Sequence, residues 1–294
     1  EIAVLKKDKR KGREFIPDAE LIEFEVRQDK QNELKRLVKE LDVDAIVNCA
    51  IPKVNEVLLR IAVKLGLNYI DSASEMKSGF EIEQFKFSQA FEKSGLVAFI
   101  DLGIQPGVSG LLVSKLIEKL GEENAKDVRI TTFEEAIASK KELGLRLWNP
   151  RIAIEDVITS PTLLKDEKLK KVEPLSLSRE IQVPNFGKRT AYVVCEEDVL
   201  LIHHAFPLVK NAIAMICGSF IEGFVKARGE GRLKEYAESL LRSDISTLSP
   251  TELKRAIEKG ELQDAFIFVN AEVDARSTWA IFPSQSEVNK TQAG

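Results

Sequence analysis

No stretch of this sequence approaches the roughly 20 uncharged apolar residues that a membrane-spanning helix requires, and no segment reads as a signal peptide. Cysteine is scarce. Cys49, Cys195 and Cys217 are an odd number, far apart, with no Cys-x-x-Cys pair, so neither a disulfide framework nor a zinc site is supported. Histidine is scarcer still: His203 and His204 are the only two and are adjacent, so on a strand they would point to opposite faces and could not share one simple site. No metal site is expected. Positive charge is not in excess either. Lys and Arg total 43 against 47 Asp and Glu, a formal net charge of −4, which excludes electrostatic nucleic-acid binding as the default. There is no internal repeat, no low-complexity segment and no Gly-x-Gly-x-x-Gly loop. What is present is 294 residues, 44% hydrophobic and 31% charged, enough for a core and too many for one domain of about 100–200 residues. A soluble, cytoplasmic two-domain protein is expected.

The first hundred residues alternate short apolar runs with amphipathic stretches, the pattern of a parallel sheet with crossover helices. Strands are expected at Ile2–Leu5, Leu21–Val26, Ala45–Cys49, Asn68–Ile70 and Leu96–Ile100, and helices at Gln31–Leu41, after Pro52 up to Gly66, at Phe80–Lys93 and from Val108 to Leu120. Beyond Gly121 strand-like pieces (Val128–Phe133, Arg189–Val194, Ala265–Val273) are widely spaced among helices, which suggests α+β. Asn149-Pro150 reads as an N-cap with proline at the first helical position, and Ser249-Pro250-Thr251-Glu252 as a capping box. The run Lys165–Lys171 reads as a solvated turn or face. The expected fold is α/β: a Rossmann-type parallel sheet, incomplete at its start, over residues 1–120, a second α+β domain over 121–285 for substrate binding and dimerisation, and a return toward the first domain over 286–294.

In an open parallel sheet, ligands bind outside the carboxyl ends of the strands. The residues found there are Lys6, Lys7 and Asp8, then Arg27 to Asp29, Asn48 to Pro52, Asp71 to Ser74, and Asp101 to Gly107. At any one of these loops an ordinary turn is the simpler reading. The whole set on one edge argues for a site.

The run Asp101-Leu102-Gly103-Ile104-Gln105-Pro106-Gly107-Val108-Ser109-Gly110-Leu111-Leu112 resembles the D-x-G-x-x-P-G-hydrophobic-S/T-x-L-L motif of the saccharopine dehydrogenase-like reductases. That group includes saccharopine reductases, lysine 6-dehydrogenases and carboxynorspermidine dehydrogenases. Three further stretches agree in order and spacing. Ala45–Pro52 (AIVNCAIP) is similar to the family's N-A-x-P turn, and Leu67–Ser74 (LNYIDSAS) to its x-Y-x-D-T/S segment. Leu147–Arg151 (LWNPR), followed by Val172-Glu173-Pro174-Leu175, is similar to its W-S-P and V-x-P-L pattern. The family opens with a strand, a Gly-x-Gly-x-x-Gly loop and a helix. If Ile2–Leu5 is its second strand, about 30 residues of that kind are expected ahead of Glu1. Its closing helix is then expected beyond Gly294.

The resemblance implies hydride transfer between NAD(P) and the carbon of an amine or imine in an amino-acid-derived substrate, of saccharopine, lysine or carboxynorspermidine type. It places Asn48, Ala50 and Pro52 against the nicotinamide ribose and Asp71, Ser72 and Ser74 on the nicotinamide or substrate side. Asp101 is a candidate acid/base or ammonium-binding carboxylate and Asp71 a second catalytic candidate, with Gly103, Pro106 and Gly107 shaping the turn. For Asp101, a plain cap or turn role is the alternative. Lys6 and Lys7 at the end of the first strand favour NADP over NAD; Asp29 follows the second strand as a further cofactor candidate. Trp148, Asn149 and Arg151 are substrate candidates, although Asn149 fits a helix cap and Trp148 a core position. Arg146, Arg189 and Arg276 join Arg151 as candidates for a substrate carboxylate. A homodimer is expected from the family. The alternative is an inactive dehydrogenase-like subunit that serves as a dimerisation or regulatory partner.

Overall fold

Burial of alternating elements dictates the first half of the chain. The computed structural model describes residues 3–6, 20–76, 79–139, 142–243 and 245–284, and the chain divides into two compact units, Glu1–Gly107 and Val108–Gly294. In the first unit β1 (Ala3–Lys6) and β2 (Glu20–Glu23) pair in parallel, Ala3 opposite Glu20. Helix α1 (Gln31–Glu40) buries Leu34 and Val38, four apart on one face, and leads to β3 (Ala45–Asn48). Pro52 opens a short 3-10 turn into α2 (Asn55–Leu65), which buries Val57, Leu58, Leu59, Ile61 and Ala62 and stops at Gly66. Then come β4 (Asn68–Asp71), α3 (Ser88–Lys93) and the two-residue β5 (Ala98–Phe99). Strands β3, β4 and β5 are parallel neighbours in that order. Leu34, Leu59, Ile61, Tyr69 and Phe91 form the centre of the core, with Leu5, Phe24 and Val26 packed against it.

Three details differ from the sequence reading. One continuous sheet is expected, but among the described residues β1 pairs only with β2 and β3 only with β4, so the parallel strands form two sheets. The strand expected over Leu96–Ile100 is short, because only Tyr69 and Ile70 of β4 pair with it and Val97 and Phe99 stand half exposed. The helix expected from Phe80 starts as a 3-10 turn, Glu83–Phe87, whose Glu83 and Gln84 side chains are buried rather than turned to solvent.

The second unit opens with α4 (Val108–Leu120), whose apolar face packs along the strands. Its sheet is built around two long strands, β6 (Asp127–Ala138), twice the expected length, and β12 (Leu262–Val273). Between them in sequence lie α5 (Glu142–Leu145), α6 (Pro150–Ile158), the hairpin of β7 (Thr162–Lys165) and β8 (Lys168–Lys171), β9 (Ser178–Val183) and β10 (Gly187–Val193). They are followed by α7 (Asp198–Ala205), β11 (Asn211–Gly218), α8 (Ile221–Gly229), α9 (Leu233–Arg242) and α10 (Pro250–Glu258); β13 (Arg276–Ile281) comes last. The order across the sheet is β13-β12-β6-β11-β10-β9, with β7 beside β11 and β8 beside β7. Strands β6 and β11 are parallel and the pairs on either side of them antiparallel, which is the α+β mixture expected.

This sheet curls. Arg179 on β9 grips Glu272 on β12 through two bonds of 2.8 and 3.0 Å, although three strands separate them in the sheet. The concave side is filled by Phe133, Met215, Cys217, Ile181, Val183 and Phe268, with Phe186 tilted on Phe133 at 4.7 Å between ring centres. The run Lys165–Lys171 is the β7–β8 hairpin, turning through Asp166 and Glu167, both at positive φ and both exposed. His203 and His204 sit on α7, not on a strand; the Val199–Ile202 run that precedes them is buried at Val199, Leu200 and Ile202 as one helix.

Both expected caps are present. Asn149 Oδ1 accepts from the N–H groups of Arg151 and Ile152, and Ser249 Oγ accepts from Glu252 N–H at 3.2 Å while Glu252 Oε2 takes the Ser249 N–H at 2.8 Å. These bonds, the Ser249 N–H first among them, hold the Glu252 carboxyl below its usual range. Ser249→Ala is expected to cost about 1 kcal/mol by urea unfolding, and a change within error of zero would contradict the box.

Candidate functional site

Because β3, β4 and β5 are parallel, their carboxyl ends come together, and the polar residues placed there interlock. Asn48 closes β3. Its Nδ2 donates to Asn55 Oδ1 at 2.6 Å, and its Oδ1 accepts the Ala50 N–H at 2.9 Å, which fixes the Cys49–Pro52 turn. Asn55, fully buried at the start of α2, also accepts from the Tyr69 hydroxyl at 3.1 Å and donates to the Ala73 carbonyl at 2.8 Å. Asp71 closes β4. Its Oδ1 accepts the Asp101 N–H at 2.8 Å and its Oδ2 the Gln84 amide at 3.1 Å. The Leu102 N–H extends the pairing to the Asp71 carbonyl. Ser74 then reaches across to Asp101, its hydroxyl 2.7 Å from both carboxylate oxygens.

Burial dominates the electrostatics. It raises the Asp71 carboxyl above its usual range, against the opposing pull of the Asp101 N–H, Gln84 and Tyr69; burial beside Asp71 also pushes the Tyr69 hydroxyl upward. Asp101 is only 2% exposed and stands at φ +58°, a left-handed conformation more usual for aspartate than for most residues. It is therefore no helix cap; it is a turn residue whose carboxylate faces Ser74. After it the chain folds back tightly: Gly103 N–H donates to the Pro106 carbonyl at 2.9 Å, and Gly103 and Gly107 bridge. Two buried amide atoms here lack partners among the described residues, Gln84 Oε1 and Gln105 Nε2.

The structure thus brings together Asn48, Ala50, Asp71, Ser74, Asp101, Gly103, Pro106 and Gly107. Pro52 heads the next turn, and Ser72 is exposed beside the network. Asp29 stands apart, exposed and held by Arg27 through two 2.9 Å bonds. Lys6 ends β1, and Lys7 lies outside the described residues. In the second unit Asn149 caps α6 and Arg151 is exposed, while Trp148, expected in the core, is 52% exposed; its carbonyl accepts from the Thr247 hydroxyl. Arg146 is occupied by Glu252 and the Ser246 carbonyl. Sequence reasoning missed Asn55, Tyr69 and Gln84. An asparagine just inside an apolar helix was a signal for the first; nothing marked the third.

Residues 1–99 match the family model described as the saccharopine dehydrogenase NADP binding domain. Among known relatives, a carboxyaminopropylagmatine dehydrogenase from Synechocystis sp. is 24% identical over 185 residues, covering 60% of this chain and 45% of that protein. A carboxynorspermidine synthase from Vibrio alginolyticus is 20% identical over 244 residues, covering 79% of this chain and 57% of that protein. The chain thus spans about half the length of the relatives it matches. Apo saccharopine dehydrogenase (L-Glu forming) from Saccharomyces cerevisiae superposes with a TM-score of 0.60 at 10% identity, over 95% of this chain and 79% of that one. That likeness establishes the Rossmann-type α/β fold with its second, larger sheet. Among the described residues no helix is long and apolar enough to cross a membrane.

Proposed function

On the premise that residues 1–99 are a saccharopine dehydrogenase-type NADP-binding domain, we propose that this chain is the core of an oxidoreductase acting on an amine or imine. The substrate class is an amino-acid-derived secondary amine, and the names of the two relatives favour one that carries both a carboxylate and a polyamine arm. The observation that carries the reading is the hydrogen-bonded network at the strand ends, in which Asn48 and Tyr69 both bond Asn55, Tyr69 also bonds Asp71, and Asp71 and Ser74 both hold Asp101. NAD(P), when bound, supplies or accepts the hydride.

The chain's own groups have definable tasks. Asn48, by holding the Ala50 N–H, shapes the turn on which the ribose would rest. The unpartnered Gln84 Oε1 and Gln105 Nε2 are an acceptor and a donor, which suits a carboxamide. Asp101 would hold the substrate nitrogen or move its proton, its carboxylate oriented by Ser74; Asp71 would position Asp101 through the backbone N–H. Lys6 and Lys7 favour the 2′-phosphate of NADP.

Fluorescence titration of the full-length protein with NADPH and NADH tests this. NADPH is expected to bind about tenfold more tightly, with Lys7→Ala removing the preference and sparing NADH. Absence of binding by either nucleotide would overturn the oxidoreductase reading in favour of a non-catalytic subunit.

A further inference from the structure

A partly buried guanidinium normally places its N–H donors on acceptors, and in the second unit one does not. Arg129 on β6 stands opposite Glu272 of β12 in the strand register, 3.6 Å from its Oε2. Among the described residues it makes no hydrogen bond and no other ion pair. The reason is competition. Both oxygens of Glu272 are taken by Arg179, at 2.8 and 3.0 Å, so two guanidiniums share one carboxylate. The other acids of these strands are engaged elsewhere. Glu180 pairs with Lys188, Asp127 accepts from Asn211, and Asp274 accepts the Lys126 and Asp127 N–H groups. All the donors of Arg129, and those of Arg179 that do not reach Glu272, therefore stay unused.

These charges border a cavity. Arg179 and Glu272 line a space of about 530 Å³ between β9 and the concave face of β12 and β13. Small-molecule sites commonly measure about 300–1,000 Å³. The walls are mixed: Ile181 and Val183 of β9 and the ring of Trp279 on β13 are apolar, and Asn270 of β12 is polar. Asn270 lies directly opposite Trp279, so the two share one face of the sheet.

Buried polar atoms on that face also lack partners. Asn270 is 2% exposed; its amide nitrogen donates to Ser277 Oγ and to the Thr278 carbonyl, each at 2.9 Å, while its Oδ1 accepts nothing among the described residues. Thr131, opposite Asn270 on β6 and fully buried, has a hydroxyl with no partner. Its face is set by Met215, its neighbour on β11, and by Phe133 two residues on, both in the apolar cluster of the concave side.

We propose that this cavity is a binding site for an organic carboxylate with a flat or apolar body. The carboxylate takes the unused donors of Arg179 and Arg129, which a carboxylate fits in geometry as well as in charge. The body lies on Trp279 beside Ile181 and Val183, and Asn270 Oδ1 accepts from an N–H or O–H that the ligand carries. An organic cation would instead add a third positive charge around Glu272. The site is built from the second unit alone and does not rest on the oxidoreductase reading.

Calorimetric titration of the full chain with phenylacetate tests it. Saturable binding in the low-millimolar range is expected of a ligand this small. Phenylethylamine, with an ammonium in place of the carboxylate on the same ring, should not bind. Arg129→Gln should weaken phenylacetate by about tenfold or more, and Arg129→Lys by less, because the charge remains and the planar fork is lost. Ser277 is exposed on the same face, opposite Glu272. Ser277→Phe sets a ring in the cavity and should also weaken binding by about tenfold or more; it decides the matter if Arg129→Gln does not fold. A purely structural Arg129 would lower the melting temperature in Arg129→Gln and leave the affinity as it was. That result, no saturable binding by the wild type, equal binding of phenylethylamine, or unaltered binding in Ser277→Phe would overturn the site.

Discussion

Gly107→Ala is expected to destabilise the first unit by about 3 kcal/mol or more, against about 1 kcal/mol for Gly66→Ala. Both glycines have positive φ, +128° and +72°, so each substitution carries a conformational cost. They differ in what a new Cβ would meet. At Gly66 there is open space; at Gly107 the Cβ would fall 2.2 Å from the Gly103 carbonyl oxygen and 2.6 Å from its nitrogen. Those are backbone atoms, which no rotamer change can move, and they belong to a turn tied at Gly103 N–H to Pro106. The turn must open, releasing Asp101 and Leu102 from Asp71. Hydrogen exchange of the β4 and β5 amides reads this directly. Equal protection losses in the two variants would show that the Gly103–Gly107 approach contributes nothing.

That pair of residues also shows what the sequence reveals by itself. A glycine four residues after another, with proline between, announces a tight reversal, and the reversal is there. The parallel strands of the first unit were legible because each is a short apolar run ended by a small polar residue, and the helices because Leu34 and Val38, or Val57 and Ile61, recur at helical spacing. Caps were legible because their chemistry is local. Long-range consequences were not. Arg179 and Glu272 lie 93 positions apart and neither marks the curl of the sheet. Trp148 misled because aromatic residues are usually covered, whereas here the ring lies beside a helix cap and stays half exposed. Gln84 was invisible because nothing in Glu83-Gln84-Phe85 signals that a 3-10 turn would aim it at Asp71.

The same distinction governs Asn55, the residue whose loss should be felt most. Asn55→Leu keeps the branching and the number of side-chain heavy atoms and is expected to cost about 3–5 kcal/mol, although leucine is the better helix former and the more apolar residue. The side chain is fully buried and makes three bonds, accepting from Asn48 and Tyr69 and donating to the Ala73 carbonyl. Leucine satisfies none of them, and a stranded buried polar group costs about 1–3 kcal/mol, which outweighs the gain in apolar contact. Tyr69→Phe removes one donor but leaves Asn55 bonded to Asn48 and Ala73, so about 1 kcal/mol is expected there. Urea denaturation of the two single variants and the double variant separates these contributions. Once Asn55 is leucine the Tyr69 hydroxyl keeps only its bond to Asp71, so Tyr69→Phe should cost less in that background than in the wild type. Simple addition of the two losses would mean that the Tyr69–Asn55 bond does not couple β4 to α2. Because Asn48 and Ala73 both flank the proposed nicotinamide edge, Asn55→Leu should also weaken NADPH binding where Tyr69→Phe does not; equal affinities would separate the network's structural role from the site it frames.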